Sequence, residues 1–442
     1  MSTNRPLPWL LAAVLMGMLA ALPARAQSLQ ELYDAARAFD ATYLAARALA
    51  DSAVYRAEQA KALGRPSVSL GSVASRAETD LPSTSRKSTN TLQAGLSGEQ
   101  WLFNRSNAAT MSQAEKALAA AQADLVTAEQ DLIVRLAQAY FDVLAAQDAL
   151  ATAQANKAGI SEQLASAKRN FEVGTATITD TREAQARFDL ATAQEIAADN
   201  DLRTKRIALD TLVGRSNVQP RPLAAPVALP ATVPPSVDDW VALVEQAPVV
   251  RKAQLNYDIA QIEHEKARAG NLPTVKLEGT LGSNRATGSF PELQGNAGTT
   301  SSASLGVRLA VPLYTGGAID NRVKETISLQ EQARNTLEAA RRGVAQTTRQ
   351  AFFGVQSGQA QVKALEAAES SSKLALEATQ LGYRVGVRVN LDVLNAQTQL
   401  FTTQRDLSRA RYDVVVNSLR LRQAAGSLQP SDVNAVNALL AK

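Results

Sequence analysis

The chain has no cysteine and one histidine, His264, in 442 residues. Without cysteine there are no disulfides, no thiolate metal sites and no cysteine nucleophile, nor the acylated cysteine that anchors a lipoprotein. One histidine is too few for a histidine metal centre or a catalytic triad. It stands in His-Glu-Lys-Ala-Arg, which lacks the second histidine of a zinc-protease motif, and reads as an ordinary helix residue. Aromatic residues are scarce at 5%, although they bury the most area each and a globular core of this length would use more of them. The 45% hydrophobic fraction is largely Ala, Leu and Val mixed with Gln, Glu, Arg and Lys, the composition of long helices. No P-loop, GxSxG motif or metal-ligand cluster is present, so neither an enzyme nor a cofactor or metal is expected.

The N-terminus carries a leader pattern. Arg5 precedes the apolar stretch Leu7 to Leu22, and Ala24-Arg25-Ala26 supplies small residues for cleavage, so residues 1–26 are expected to be a removed signal peptide. Its loss takes two arginines and lowers the net charge from +4 to +2. That balance gives no reason to expect nucleic acid as a partner. Beyond residue 26 no continuous apolar stretch is long enough for a transmembrane helix.

The rest of the chain is a duplication. Phe171-Glu172-Val173-Gly174 returns as Tyr383-Arg384-Val385-Gly386, an offset of 212. The offset carries Ala139-Tyr140-Phe141 onto Ala351-Phe352-Phe353, Asp180 onto Asp392, Leu209 onto Leu421 and Gly214 onto Gly426. The expected units are a first repeat at 27–218, a linker at 219–236, a second repeat at 237–430 and a C-terminal segment at 431–442. The linker holds six of the 16 prolines, which excludes regular helix. Each repeat reads as helix, two strands, very long helix, turn and helix: about 28–64, 66–103, 105–171 and 180–215, then 238–270, 273–314, 317–381 and 390–426. A helix of about 67 residues is on the order of 100 Å long. Heptad spacing shows in Leu118, Leu125 and Leu132, and in Leu400, Leu407, Val414 and Leu421.

Helices alone would suit a coiled-coil rod, and the strand segments separate the two readings. Val275, Leu277, Gly279 and Leu281 alternate with Thr274, Lys276, Glu278 and Thr280, and residues 303–313 alternate in the same way. Such a period of two gives a strand one apolar face. The Ser-, Thr-, Gly- and Asn-rich stretches 77–90 and 284–300 are expected to be loops. Four strands cannot close a barrel, and lipid does not tolerate open edges, so several copies would have to share one. Three copies give twelve strands, a size that can enclose water, and two or four are not excluded.

In order and duplicated, the Phe/Tyr-x-Val-Gly turns with Asp180 and Asp392, the Ala-Tyr-Phe and Ala-Phe-Phe pair, and Pro312-Leu313-Tyr314-Thr315-Gly316-Gly317 resemble the TolC-type outer membrane exit ducts of Gram-negative bacteria. The resemblance covers essentially everything after residue 26. It implies a mainly α fold with a small membrane β-barrel: a homotrimer whose 12-stranded barrel is continuous with a long α-helical coiled-coil tunnel in the periplasm. It implies an outer membrane channel-tunnel for export, docked through a periplasmic adaptor to an inner-membrane ABC or proton-driven transporter. By the same resemblance Tyr383 and Arg388 hold a periplasmic gate against Thr179 and Asp180 at helix–turn–helix tips near 172–179 and 382–389. Asp392 and the next-turn position, Asn395, correspond to aperture rings, and Val173-Gly174 and Val385-Gly386 to adaptor-docking tips. Asn395 stands where the family has a second Asp, which implies a less negative entrance. A plainer explanation of Asp180 and Asp392 is a carboxylate at a helix N-terminus. The alternative function is a non-channel periplasmic coiled-coil structural or adaptor protein.

Overall fold

The computed structural model describes residues 26–441, apart from Ser83, Ala176, Ala225 and Ala228, so the leader expected at 1–26 lies almost wholly outside the described residues. The chain is mainly helical, as the composition implies. In order it forms α1 (Leu29–Phe39), α2 (Ala41–Lys61), β1 (Ser67–Leu81), β2 (Thr84–Phe103), α3 (Arg105–Glu172), α4 (Ile178–Val213), α5 (Val237–Ala242), α6 (Pro248–Ala269), β3 (Thr274–Thr287), α7 (Ser289–Leu293), β4 (Gly298–Ala310), α8 (Ala318–Arg384), α9 (Asn390–Ala424) and α10 (Pro430–Asn437). Its contacts form two units, one of residues 26–45, 126–247 and 343–441, the other of 46–125 and 248–342.

In the first unit, heptad positions do the packing. Leu407, Val414 and Leu421 of α9 are buried, as are Leu202 and Leu209 of α4 and Leu132 of α3. Val362 of α8 packs with Leu407, Ala410 and Val414, while Trp240 packs with Phe352, Val355, Leu421 and Ala425. Both helices that follow a tip end on a left-handed glycine pressed against a neighbour. A Cβ on Gly214 would meet the Phe39 ring at 2.4 Å, and one on Gly426 would meet Ala247 at 2.3 Å. A side chain at either position would be strained by the positive φ and would have to displace the Phe39 ring at Gly214 or the Ala247 backbone at Gly426. The proline-rich linker is held by hydrogen bonds. The Tyr140 hydroxyl donates to the Arg221 carbonyl at 2.9 Å and accepts from the Arg221 N–H at 2.7 Å. Gln359 donates to the Pro230 carbonyl, and Trp240 to the Pro234 carbonyl.

Two helices expected to be continuous are broken. The stretch read as 28–64 divides at Asp40, whose extended backbone ends α1 and whose carboxylate accepts the Tyr43 N–H at 2.7 Å. Burial alone would raise the Asp40 carboxyl; hydrogen bonds from Arg135, at 3.1 Å on each oxygen, and from the backbone outweigh it and hold the group below its ordinary value. The stretch read as 238–270 divides at Ala247, because Pro248 cannot donate and forces its predecessor out of the helical region.

In the second unit the four strands form one antiparallel sheet in the order β1-β2-β3-β4, so β2 pairs with β3 across the duplication. The strands outrun expectation. Pairing continues through the stretches read as loops, from Ser67↔Glu99 to Thr79↔Lys87 and from Thr274↔Ala310 to Ala286↔Gly298. Serine, threonine and asparagine favour loops, yet the backbone groups that face a partner strand pair whatever the side chain. β1 thus runs to Leu81 and β2 starts at Thr84, while β3 and β4 are joined by the segment carrying α7.

Candidate functional site

The sheet's register gathers its alternating residues into two unlike faces. One row joins Val68, Gly98, Gly279 and Leu305; the next joins Leu70, Leu96, Leu281 and Ala303. Leu70 and Leu305 are 75% and 79% exposed, so no described residue covers this face. The apolar band runs from Val275 to Leu281 on β3, roughly 20 Å at ~3.4 Å per residue. It ends in the next row, where Ser72, Ala94, Ser283 and Ser301 stand on the same face. An exposed apolar area of this kind marks contact with lipid or protein.

The opposite face is hydrophilic. Ser69 meets Ser97 at 2.7 Å and Thr280 meets Ser304 at 2.7 Å. Beside them lies an ion cluster. The Lys276 ammonium lies 3.0 Å from Glu99 and 3.4 Å from Glu278, and Arg308 reaches Glu278 at 2.7 Å. Lys276 also lies over the Trp101 ring, 5.6 Å from its centroid. Lys276, Glu278 and Arg308 therefore occupy the polar face, as the alternation implied. Both outer strands, β1 and β4, leave an unpaired edge within the single chain.

The tips belong to the first unit. Ile160, Leu164 and Ala167 of α3 pack with Ala184 and Ala191 of α4 and with Leu394 of α9; the small alanines let the helices approach closely. Polar bonds fix the register. Gln163 donates to the Asn390 side-chain oxygen, and Gln397 donates to the Asn156 carbonyl at 3.3 Å. Gly174 and Gly386 turn the chain with φ of 77° and 81°. Val173 and Val385 beside them are 73% and 66% exposed.

Each predicted gate residue has a definite place. The Tyr383 hydroxyl accepts from Asn170 at 3.2 Å. Arg388 lies 3.5 Å from Asp392, one turn away. Asp180 accepts from the Thr177 N–H at 3.0 Å and from the Thr177 hydroxyl at 2.8 Å. Thr179 is exposed in the same first turn. The structure thus brings Arg388 to Asp392, and it leaves Tyr383 and Arg388 on partners other than Thr179 and Asp180 within one chain. Asn395 accepts a hydrogen bond from Arg187 at 3.1 Å. Asn170, Gln163 and Arg187 are not marked in the sequence, since long-range side-chain pairs leave no periodic signal. The Thr177–Asp180 capping box did leave one, a hydroxyl residue three positions before a carboxylate.

The family described as Outer membrane efflux protein matches residues 24–215 and 241–427, most of the chain. The chain belongs to that family. It is similar to the outer membrane protein TolC of Vibrio cholerae, at 33% identity over 93% of this chain and 94% of that protein. It is also similar to the alkaline protease secretion protein AprF of Pseudomonas aeruginosa, at 34% identity over 70% of this chain and 64% of that protein. Its fold matches the crystal structure of the outer membrane protein VceC of Vibrio cholerae with a TM-score of 0.75 and 21% identity, covering 90% of this chain and 96% of the other. As a family member it is an outer membrane efflux or secretion channel, not the coiled-coil rod or adaptor that helices alone allowed. The sheet is its membrane part, with the apolar face suited to lipid and the charged face to water.

Proposed function

We propose that three copies close a single twelve-stranded barrel in the outer membrane and form an export duct gated at its periplasmic helical end. The observation that carries this is the sheet, which has one apolar face, one charged face and two unpaired edges. Each unsatisfied backbone group in hydrocarbon costs several kcal/mol, so the edges of β1 and β4 must find partners. Three copies make twelve strands, four from each, enough to enclose water. Residues 1–26 are the leader that directs export and is removed.

At the tips, Tyr383, Arg388, Thr179 and Asp180 are the gate, and three Asp392 carboxylates ring the entrance with Asn395 in the next turn. Since neither Tyr383 nor Arg388 bonds Thr179 or Asp180 within one chain, the gate contacts would be completed between subunits or on closure. The exposed valines beside Gly174 and Gly386 would dock a periplasmic adaptor that recruits an inner-membrane ABC or proton-driven transporter. The likeness to AprF supports a secretion role. The duct moves its cargo without a reaction of its own.

A pair of neighbouring strand residues tests the barrel. Leu305→Arg on the lipid face should cost about 2–4 kcal/mol and remove the protein from the outer membrane fraction. Ser304→Arg, one residue away on the water face, should leave trimers there. Equal behaviour of the two variants would refute the barrel.

A further inference from the structure

The duplication supplies an internal control for Asp392. The first tip reads Glu-Val-Gly-Thr-Ala-Thr-Ile-Thr-Asp over 172–180, and the second reads Arg-Val-Gly-Val-Arg-Val-Asn-Leu-Asp over 384–392. Both aspartates are the third residue of their helix. In the first tip Thr177 is the N-cap: its hydroxyl accepts the Asp180 N–H at 3.2 Å, while the Asp180 carboxylate turns back to the Thr177 N–H and hydroxyl. Thr175 adds a bond to the Asn170 carbonyl at 3.1 Å. In the second tip Val387 and Val389 stand at these two threonine positions. Val389 is the N-cap of α9 with extended backbone and no side-chain hydrogen bond. The Asp392 N–H turns instead to the Val389 carbonyl at 3.1 Å, and among the described residues its carboxylate pairs with the Arg388 guanidinium alone. Val387 and Val389 are 75% and 57% exposed, so burial within the chain does not account for valine at either position.

We infer that Val389 is a positioning residue for Asp392. By withholding the capping hydroxyl it keeps the carboxylate out of a capping box and free to face permeating ions. This rests on the reading of Asp392 as an entrance residue. Threonine at 177 commits Asp180 to holding its helix; valine at 389 releases Asp392 from that duty. The remaining partner, Arg388, forms an exposed pair one turn away, an interaction weak enough to yield to an incoming cation.

Val389→Thr is nearly isosteric and tests this directly, with cation-over-anion permeability and trivalent-cation block measured on trimers in planar bilayers. The variant should lower both toward the values of Asp392→Asn, and adding Asp392→Asn to it should change little more. Amide exchange in the first turn of α9 should slow roughly fivefold, the size of one N-cap. Val387→Thr can restore the other threonine bond without touching Asp392, so it should leave selectivity unchanged. If Val389→Thr leaves selectivity as it was while Asp392→Asn alone shifts it, the positioning role is wrong and the entrance reading stands. If Asp392→Asn alone shifts nothing, the entrance reading falls and the inference with it.

Discussion

At each tip a glycine with positive φ reverses the chain, Gly174 in the first repeat and Gly386 in the second, and the following helix opens with an aspartate at the same position. The side chains then diverge. Thr175, Thr177 and Asp180 bond the first turn's own backbone. The second tip has valines at both threonine positions, and its polar side chains reach outward or to each other: Tyr383 to Asn170, Arg388 to Asp392. One duplicated backbone therefore carries a tip held by local capping and a tip held by long-range or exposed contacts. Local caps survive when neighbouring helices shift, whereas a bond between helices is lost, so the second tip is the one suited to move.

Substitutions that break the two kinds of contact should separate the tips. The largest effect is expected from Tyr383→Phe combined with Arg388→Ser, which removes the Tyr383–Asn170 and Arg388–Asp392 contacts of the second tip. Single-channel conductance should rise several-fold, and an unchanged conductance would sink the gate assignment. Next, Asp180→Asn should destabilise the first tip by about 1 kcal/mol through loss of the reciprocal cap, read by local amide exchange. Asp392→Asn should cost less locally, about 0.3–1 kcal/mol from the helix dipole, yet weaken cation preference and trivalent block, which Asp180→Asn should not. The smallest effect belongs to Arg187→Gln. Removing the guanidinium beside Asn395 should raise cation preference modestly at low salt and hardly at all at high salt, where exposed charges are screened.

Where structure follows from periodicity, the sequence was readable. The heptad leucines of α9 are buried, and alternation placed Lys276, Glu278 and Arg308 on one sheet face. The offset of 212 located both tips. Breaks and ends were harder. Asp40 resembles any helix-surface aspartate until its carboxylate is seen capping the next helix. Polar residues at 77–90 gave no sign of strand because backbone pairing, not side-chain burial, holds them there. The proposed gate and aperture residues follow from resemblance; Asn170 beside Tyr383 and Arg187 beside Asn395 depend on how distant helix segments meet. The loss of a cap at Val389 could have been noticed by comparing the tips letter by letter, but its consequence for Asp392 is a matter of geometry.

For the duct to work, separate chains must together make one water-filled passage. Purified protein added to a planar lipid bilayer tests it most directly, with the oligomer crosslinked beforehand. The account predicts discrete, long-lived conductance steps carried by the trimer alone. Conductance from the monomer, or trimers that insert without conducting even when Tyr383 and Arg388 are replaced, would contradict it.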